Sequence, residues 1–369
     1  MSLLRVGKRL VRSRVSPIRF LGPSVSLAGL LSFGFMLFTG RINLSSLDLG
    51  ALVGTTETAE VAGALAGPST LGPEITPVKL DRGAPRSGDR IRIASFNIQV
   101  FGESKISKPN VMQTLAGIVG NFDLVAIQEV RSPKSMPVAR LVDLINRSGG
   151  RYEATLCEPI GEEGNAHKEQ YAFVWDASRM RMIPESSYVV ADGGNRMHRE
   201  PMVTSFESRV QLAPGQMPFR FTIINAHTDP DLVSNRAIAN EMNVLDDVFI
   251  RVRDYEYTQH GEDDFLLVGD LNVDVRNLGE LGQIPGMMSI AGSLPTNTPG
   301  TKTYDHILID GNTTKEFTGR FGVIDYVSDL GLTPEQALQV SDHRPVWAEF
   351  SAYEIPPVIN VAQQGLPVR

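Results

Sequence analysis

The chain has 369 residues, 42% hydrophobic and 21% charged, which is enough to bury a sizeable core and excludes wholesale disorder. A single cysteine, Cys157, excludes an internal disulfide framework and a cysteine-based zinc finger. The net charge of −7 combines six unopposed cations in residues 1–20 with −13 on everything after them, so the body is not a coat that holds nucleic acid by bulk positive charge.

The six cations are Arg5, Lys8, Arg9, Arg12, Arg14 and Arg19, and an apolar run from Val25 to Phe38 follows them. A basic stretch before about a dozen apolar residues is the pattern of a signal peptide or signal anchor. Extended to Gly40 the run is about sixteen residues, short of the roughly 20 that span a bilayer, and no clear small-x-small cleavage site follows. The positive-inside rule places the rest of the chain across the membrane, so we expect a product that is secreted, periplasmic or anchored by residues 1–40. Residues 41–89 are rich in Ala, Gly, Thr and Pro and read as a flexible linker, and residues 353–369 as a tail. Residues 90–352 are the expected folded unit.

Within that unit, Ile91–Ile98, Leu124–Gln128, Tyr171–Trp175, Phe219–Ala226, Phe265–Val268, Ile307–Ile309 and Pro345–Phe350 read as strands, many too apolar to face water. Helical patterns fall near Pro109–Val119, Pro133–Asn146 and Asn235–Asp254; Ser132 caps the second, and Gly149-Gly150 ends it. Strands alternating with helices predict an α/β protein.

Polar residues gather where these strands begin or end: Asn97, Glu129, His227, Asp270, Asn272, Asp305 and the pair Asp342-His343. Strand ends are where α/β folds place ligand sites. A phosphodiester repels nucleophiles through its anionic oxygens. Its hydrolysis therefore needs a cation on those oxygens, a base for water and an acid for the leaving alkoxide. Glu129, Asp270 and Asp342 are hard oxygen donors suited to Mg²⁺, with Mn²⁺ or Ca²⁺ as alternatives, and Asn97 and Asn272 are neutral amide partners. His227 and His343 can move protons near neutral pH, each needing a carboxylate on its other ring nitrogen; Glu169 and Asp305 are candidates for that support.

In order along the chain, Ser95-Phe96-Asn97-Ile98-Gln99-Val100-Phe101-Gly102, Ala126-Ile127-Gln128-Glu129-Val130-Arg131, Gly269-Asp270-Leu271-Asn272, Tyr304-Asp305 and Ser341-Asp342-His343-Arg344-Pro345-Val346 resemble the endonuclease/exonuclease/phosphatase superfamily. Lys168-Glu169-Gln170-Tyr171 and Arg199-Glu200-Pro201 are similar to its deoxyribonuclease I branch in particular. The resemblance implies a four-layer α/β sandwich, two mixed β-sheets packed face to face with helices outside. It implies His227 supported by Glu169 and His343 supported by Asp305 as general base and acid, in either order. Glu129 would be the principal metal ligand, with Asn97, Asp270, Asn272 and Asp342 holding metal, phosphate or attacking water. Arg131 and Arg199 would approach DNA, reading groove shape more than sequence. Asn165 and His167 are further candidate substrate contacts, and His167 and His198 lie close in sequence to the motif positions expected to face DNA. The branch's disulfides cannot form here, and its calcium-stabilised loop has no clear counterpart in Pro295–Lys302.

The expected function is thus metal-dependent DNA endonuclease with low sequence specificity, acting as a monomer and meeting a membrane only through its N-terminus. A phospholipid or phosphomonoester hydrolase on the same scaffold is the alternative, and a non-catalytic binding domain a second. Among the remaining residues, His260 is expected in solvent, His306 as a structural neighbour of Asp305, and Cys157 as a small buried hydrophobe.

Overall fold

The computed structural model describes residues 76–77, 79, 86–132, 136–161, 168–233 and 240–355. The expected signal segment, most of the linker, the tail beyond 355, the proline-led helix start at Pro133, and Asn165 and His167 lie outside them. Among the described residues, no helix is long and apolar enough to cross a membrane.

In chain order the elements are β1 (Thr76–Pro77), β2 (Arg90–Phe101), α1 (Glu103–Ile106), α2 (Pro109–Val119), β3 (Leu124–Val130), α3 (Met136–Arg147), β4 (Tyr152–Leu156), β5 (Gln170–Asp176), β6 (Met180–Met182), β7 (Tyr188–Val189), β8 (Met202–Ser208), β9 (Arg220–His227), α4 (Met242–His260), β10 (Phe265–Asp270), β11 (Met287–Ser289), β12 (Asp305–Asp310), β13 (Phe317–Val323), α5 (Tyr326–Asp329), α6 (Pro334–Val340) and β14 (Val346–Ser351). One sheet has the order β1-β13-β14-β2-β3-β5-β4, the other β11-β12-β10-β9-β8-β6 with β7 also on β8. Both are mixed: β2 runs parallel to β3 and β9 to β10, while β14 is antiparallel to β2 and β12 to β10.

The four layers follow from side-chain alternation along strands that are buried on both faces. On β2, Ile91 and Ile93 point into the layer between the sheets, where they meet residues such as Phe221, Ile223, Leu266 and Val268. Their neighbours Ala94, Phe96 and Ile98 point the other way, onto α2, α3 and α6 through Leu115, Leu141 and Ala337. On the second sheet, Val203, Ile224 and Leu267 pack outward against Leu245, Val248 and Phe249 of α4. Truncating Phe249 to alanine would cost about 3–5 kcal/mol, since its ring is wholly enclosed.

The structure forms elements beyond those expected: β1, which lies inside the expected linker and pairs with β13, and β4, β6, β7, β8, β11, β13, α1, α5 and α6. The helix expected over Asn235–Asp254 is described from Met242 and continues to His260, stopping where Gly261 adopts a left-handed conformation and its N–H bonds back to the last turn. Its apolar period fades after Val252 because the buried position in the last turns is Glu256, which accepts a hydrogen bond from Tyr188 Oη at 3.0 Å. Strand β8 carries no apolar run to announce it. Its buried Thr204 and Ser205 are satisfied by Ser187 and Thr222 hydroxyls instead of being apolar. Within the expected linker, Arg86 is docked onto Asp123, Asp176 and the Phe122 carbonyl.

Candidate active site

The alternation that builds the inter-sheet core also builds the site. Ile91 and Ile93 continue in steps of two to Ser95 and Asn97; Ile223 continues to Asn225 and His227; Val268 continues to Asp270. In the opposite chain direction, Ile307 leads back to Asp305 and Tyr171 to Glu169. Each strand therefore delivers its polar residue to the same end of the inter-sheet layer, where the apolar filling stops. The pairings Asp270↔His227 and Asp270↔Asp305 lock β9, β10 and β12 in the register that aligns them.

Glu129 breaks this alternation. Strict period two would turn it to the helical layer with Val125 and Ile127, but its φ is +61° and the β3–β5 register shifts between Ile127 and Val130. The irregularity aims its carboxylate at the site: Oε1 accepts from Asn97 Nδ2 at 3.1 Å, and Oε2 from the Val100 amide at 2.9 Å. Val100 itself has φ +47°, strained for a β-branched residue, and the β2–β3 register shifts beside it. Such strain persists where surrounding structure enforces it, and it clusters at functional sites.

Two imidazole–carboxylate pairs face one another across Asp270. His227 Nδ1 donates to Glu169 Oε1 at 2.8 Å, and His343 Nδ1 donates to Asp305 Oδ2 at 2.8 Å. A carboxylate accepts only, so these bonds place the proton of the neutral ring on Nδ1 and leave Nε2 for chemistry. Both Nε2 atoms approach a single oxygen, Asp270 Oδ2, at 3.6 Å from His227 and 3.4 Å from His343. The same oxygen accepts from Asn97 Nδ2 at 2.9 Å.

Burial and charge pull these groups in opposite directions. Burial alone would lower the histidine pKa values, but Asp305 and Asp270 outweigh it at His343 and push it up to about 11. Burial opposes protonation of His227 too, and Glu169 overcomes it, so His227 also rises. Burial would raise Glu169, but His227 and Arg199, with Arg131 behind them, hold it below the usual carboxylate range. Asp270 and Asp342 both rise through desolvation.

Arg199, expected to approach substrate, is instead a buried brace. Its Nε donates to the His227 carbonyl at 3.0 Å and lies 2.9 Å from Glu169 Oε1 as an ion pair, and its Nη2 donates to the Thr228 carbonyl at 2.9 Å. At 7% exposure it sits behind the His227–Glu169 pair, because Glu169 needs a cation that the apolar surroundings do not supply. Arg131 does reach the opening: its Nη2 lies 3.1 Å from Glu129 Oε2 and 3.8 Å from Glu169 Oε2, with the side chain 29% exposed. Asn272 has φ +52° and is pinned by donating to the Thr228 carbonyl at 2.9 Å and, from its amide, to Asp270 Oδ1 at 3.0 Å. Beside it opens a cleft of about 720 Å³, lined by Asn272, Arg276, Lys302 and Tyr304 among others.

A hard divalent cation suits the donors at the mouth of this site. Glu129 and Asp342 are carboxylates, and the buried oxygens Asn97 Oδ1 and Asp342 Oδ1 have no hydrogen-bond partner. Asp342 is aimed by Gln99, whose Nε2 donates to Oδ2 at 2.9 Å. Asp270, Asp305 and His343 also cluster closely, but the contact between Asp305 and His343 is their own hydrogen bond, so this trio reads as a dyad beside an acid and not as a cage.

Several contributors escaped sequence reading. Tyr171 Oη accepts the His227 amide at 2.8 Å. Ser341 Oγ donates to the Asn97 carbonyl at 2.7 Å and accepts the His343 amide at 3.1 Å, tying two site strands together. Gln128 Nε2 donates to Ser95 Oγ and to Asn225 Oδ1 in a wholly buried layer beneath the site. For Ser95, Gln128 and Asn225 the available signal was position: each lies two residues along a strand from an inter-sheet apolar residue. His306 is a structural residue as expected, bonded to Ser289 and the Val273 carbonyl. His260 is exposed, and Cys157 is buried with its sulfur accepting the Tyr171 amide.

A sequence model of the Endonuclease/Exonuclease/phosphatase family matches residues 94–343. The chain belongs to that family. It is 28% identical to Deoxyribonuclease-1 of Bos taurus over 274 residues, covering 70% of this chain and 92% of that one. It is 30% identical to Deoxyribonuclease-1-like 2 of Homo sapiens over 283 residues, covering 69% and 90%. Among solved structures, a functionally unknown conserved protein from Enterococcus faecalis superposes with a TM-score of 0.49 at 15% identity over 71% of this chain and all of that one. The human Nocturnin catalytic domain does so with 0.45 at 14% identity over 72% and 95%. The family match spans Asn97, Glu129, Glu169, His227, Asp270, Asn272, Asp305, Asp342 and His343 alike.

Proposed function

We propose that this protein is a divalent-metal-dependent endonuclease that hydrolyses DNA phosphodiester bonds with little sequence preference. The convergence of two imidazoles, each braced by its own acid, on Asp270 beside Glu129 and Asn97 carries the proposal. The similarity to deoxyribonucleases supports DNA as the substrate.

Glu129, Asp342 and Asn97 would hold the cation, Mg²⁺ by the hardness of its donors, and it would neutralise charge on the phosphate oxygens. One imidazole, as the free base, accepts a proton from water as its oxygen bonds phosphorus. The other, as imidazolium, delivers a proton to the alkoxide as its bond to phosphorus breaks. Glu169 and Asp305 keep both rings oriented and stabilise their cationic forms. Asp270, between the two Nε2 atoms, orients the attacking water, and Asn272 donates to the phosphate. Arg131 at the opening meets the DNA backbone, while Arg199 acts only by positioning Glu169. Export across a membrane, led by the basic stretch and the apolar run up to Phe38, belongs to the same proposal.

A supercoiled-plasmid nicking assay tests it. Nicking should require Mg²⁺, stop with EDTA, and fall at least a hundredfold in His227→Ala and His343→Ala. Undiminished nicking by either variant would reject the assigned roles. Release of phosphocholine or inorganic phosphate from phosphoesters, with the plasmid intact, would reassign the substrate.

A further inference from the structure

At the far end of the second sheet lies a second set of acids that the proposed hydrolysis does not use. Asp264 immediately precedes β10, whose other end is Asp270; six strand residues at roughly 3.3 Å each separate the two by about 20 Å. Around Asp264 gather Glu262 and Asp263 from the loop after α4, Glu316 from the entry to β13, and Glu354 beyond β14. Oxygens of Asp264, Glu316 and Glu354 lie within 4.8 Å of one another, as do those of Glu262, Asp263 and Asp264.

Like charges this close are unfavourable unless something opposes them, and the protein supplies little. Arg220 Nε is 3.2 Å from Glu262 Oε2, and Lys315 turns its ammonium to the Gly311 carbonyl instead. Three of the acids are clamped by backbone amides through one oxygen each. Glu262 Oε1 accepts from Asp264 N at 3.0 Å, Glu316 Oε1 from Ile355 N at 2.6 Å, and Glu354 Oε1 from Arg220 N at 2.8 Å. Beyond these clamps, Glu262 Oε2 meets Arg220, while the second oxygen of Glu316 has no hydrogen-bond partner. Asp264 is 4% exposed and Glu316 2% exposed, yet Asp264 Oδ1 and Glu316 Oε2 have no hydrogen-bond partner. A buried carboxylate oxygen without a partner is unfavourable, so two in one cluster point to a missing positive ligand. An open cleft of about 610 Å³, bordered by Arg220, Glu262, Asp264 and Glu354, provides a path for it.

We propose that Glu262, Asp264, Glu316 and Glu354 form a structural calcium site that staples the loop after α4, the start of β13 and the chain beyond β14. Calcium takes six to eight oxygens in irregular arrangements, which suits carboxylates from three segments, whereas magnesium demands a near-octahedral set. The site is independent of hydrolysis, and calcium there stabilises the fold without entering the reaction.

The test uses the whole protein, stripped with EDTA and then melted with and without CaCl₂ in wild type, Glu129→Gln, Glu316→Gln and Glu354→Gln. With calcium a hundredfold above its Kd, the melting temperature of wild type should rise by roughly 5–10 °C. Glu129→Gln should keep that rise, since its lesion is at the other end of the sheet. Glu316→Gln and Glu354→Gln should lose it while nicking plasmid in Mg²⁺ at the wild-type rate. Equal melting of wild type in calcium and in EDTA overturns the site. So does a calcium-dependent rise that survives in Glu316→Gln and Glu354→Gln, whatever Glu129→Gln does.

Discussion

Asp270 can stand beside His227 only because residue 269 has no side chain. Gly269 has φ +145°, and a Cβ built there would lie 1.8 Å from the Ala226 carbonyl oxygen on the neighbouring parallel strand, where real Cβ atoms do not come within 3.0 Å. Gly269→Ala therefore imposes a backbone conformation that costs roughly 1–3 kcal/mol, together with an overlap that only strand separation can relieve, at roughly another 1–3 kcal/mol. The total of about 2–6 kcal/mol corresponds to a fall in melting temperature of roughly 5–15 °C for a domain of this size. Because Gly269 lies between Val268 and Asp270 in the β9–β10 register, the separation also moves Asp270 against His227. A misplacement of about 1 Å in a catalytic site can cost a hundredfold in rate, so nicking should fall on that order at a temperature where the variant remains folded. Gly292→Ala is the control: its φ of +57° is also left-handed, but nothing lies within 4 Å of the added Cβ, so it should lose about 1–2 kcal/mol and no activity. Differential scanning calorimetry and plasmid nicking read both effects. If Gly269→Ala melts within a degree of wild type and cuts within twofold of its rate, the close strand approach does not position this site.

Asp305→Asn keeps the size of the partner of His343 but removes its charge and allows the wrong ring tautomer; the rate of nicking should fall by about 10²–10⁴ with a shifted pH profile and a melting temperature within about 3 °C of wild type. In EDTA, stability should fall as pH rises through the remote acid cluster. Burial pushes Glu262 and Glu354 up to about 7 and Asp264 well above the carboxylate range, so their contribution is complete below the unfolded value near 4 and is lost as pH climbs through about 7. A melting temperature that instead rises between pH 5 and 8 in EDTA contradicts those environments. Cys157, pushed up to about 11 by burial, should resist iodoacetamide at pH 8 in the native protein and react at once in guanidinium, as mass spectrometry would show.

The chemistry of the site was legible in the linear chain because it depends on residue types at strand ends. Asn97, Glu129, His227, Asp270 and Asp342-His343 each close or adjoin an apolar run, and strand ends converge in an α/β fold whatever the details of its loops. That the sheets are covered on both faces was legible for the same reason, since runs such as Ile91–Ile98 and Phe265–Val268 are too apolar for either face to meet water. That two sheets pack face to face came from the family resemblance and not from the pattern. Strand β8 stayed hidden because its buried hydroxyls satisfy one another across strands, which no local pattern records. Arg199 shows the limit most clearly. Its motif pointed toward substrate, but only the packing of β8, β9 and the Glu169 loop reveals that its guanidinium lies behind Glu169 and is consumed by two carbonyls and a carboxylate. The left-handed turns at Val100 and Glu129 belong to the same class, being strained conformations that local preference disfavours and neighbouring strands enforce. So does the remote acid cluster, whose members are separated by up to 92 positions, Glu262 to Glu354, and meet only once the sheets have closed over their core. Residue chemistry and hydrophobic period act over a few neighbours along the chain and can be read there; register, strain and long-range charge depend on which strands become neighbours in space.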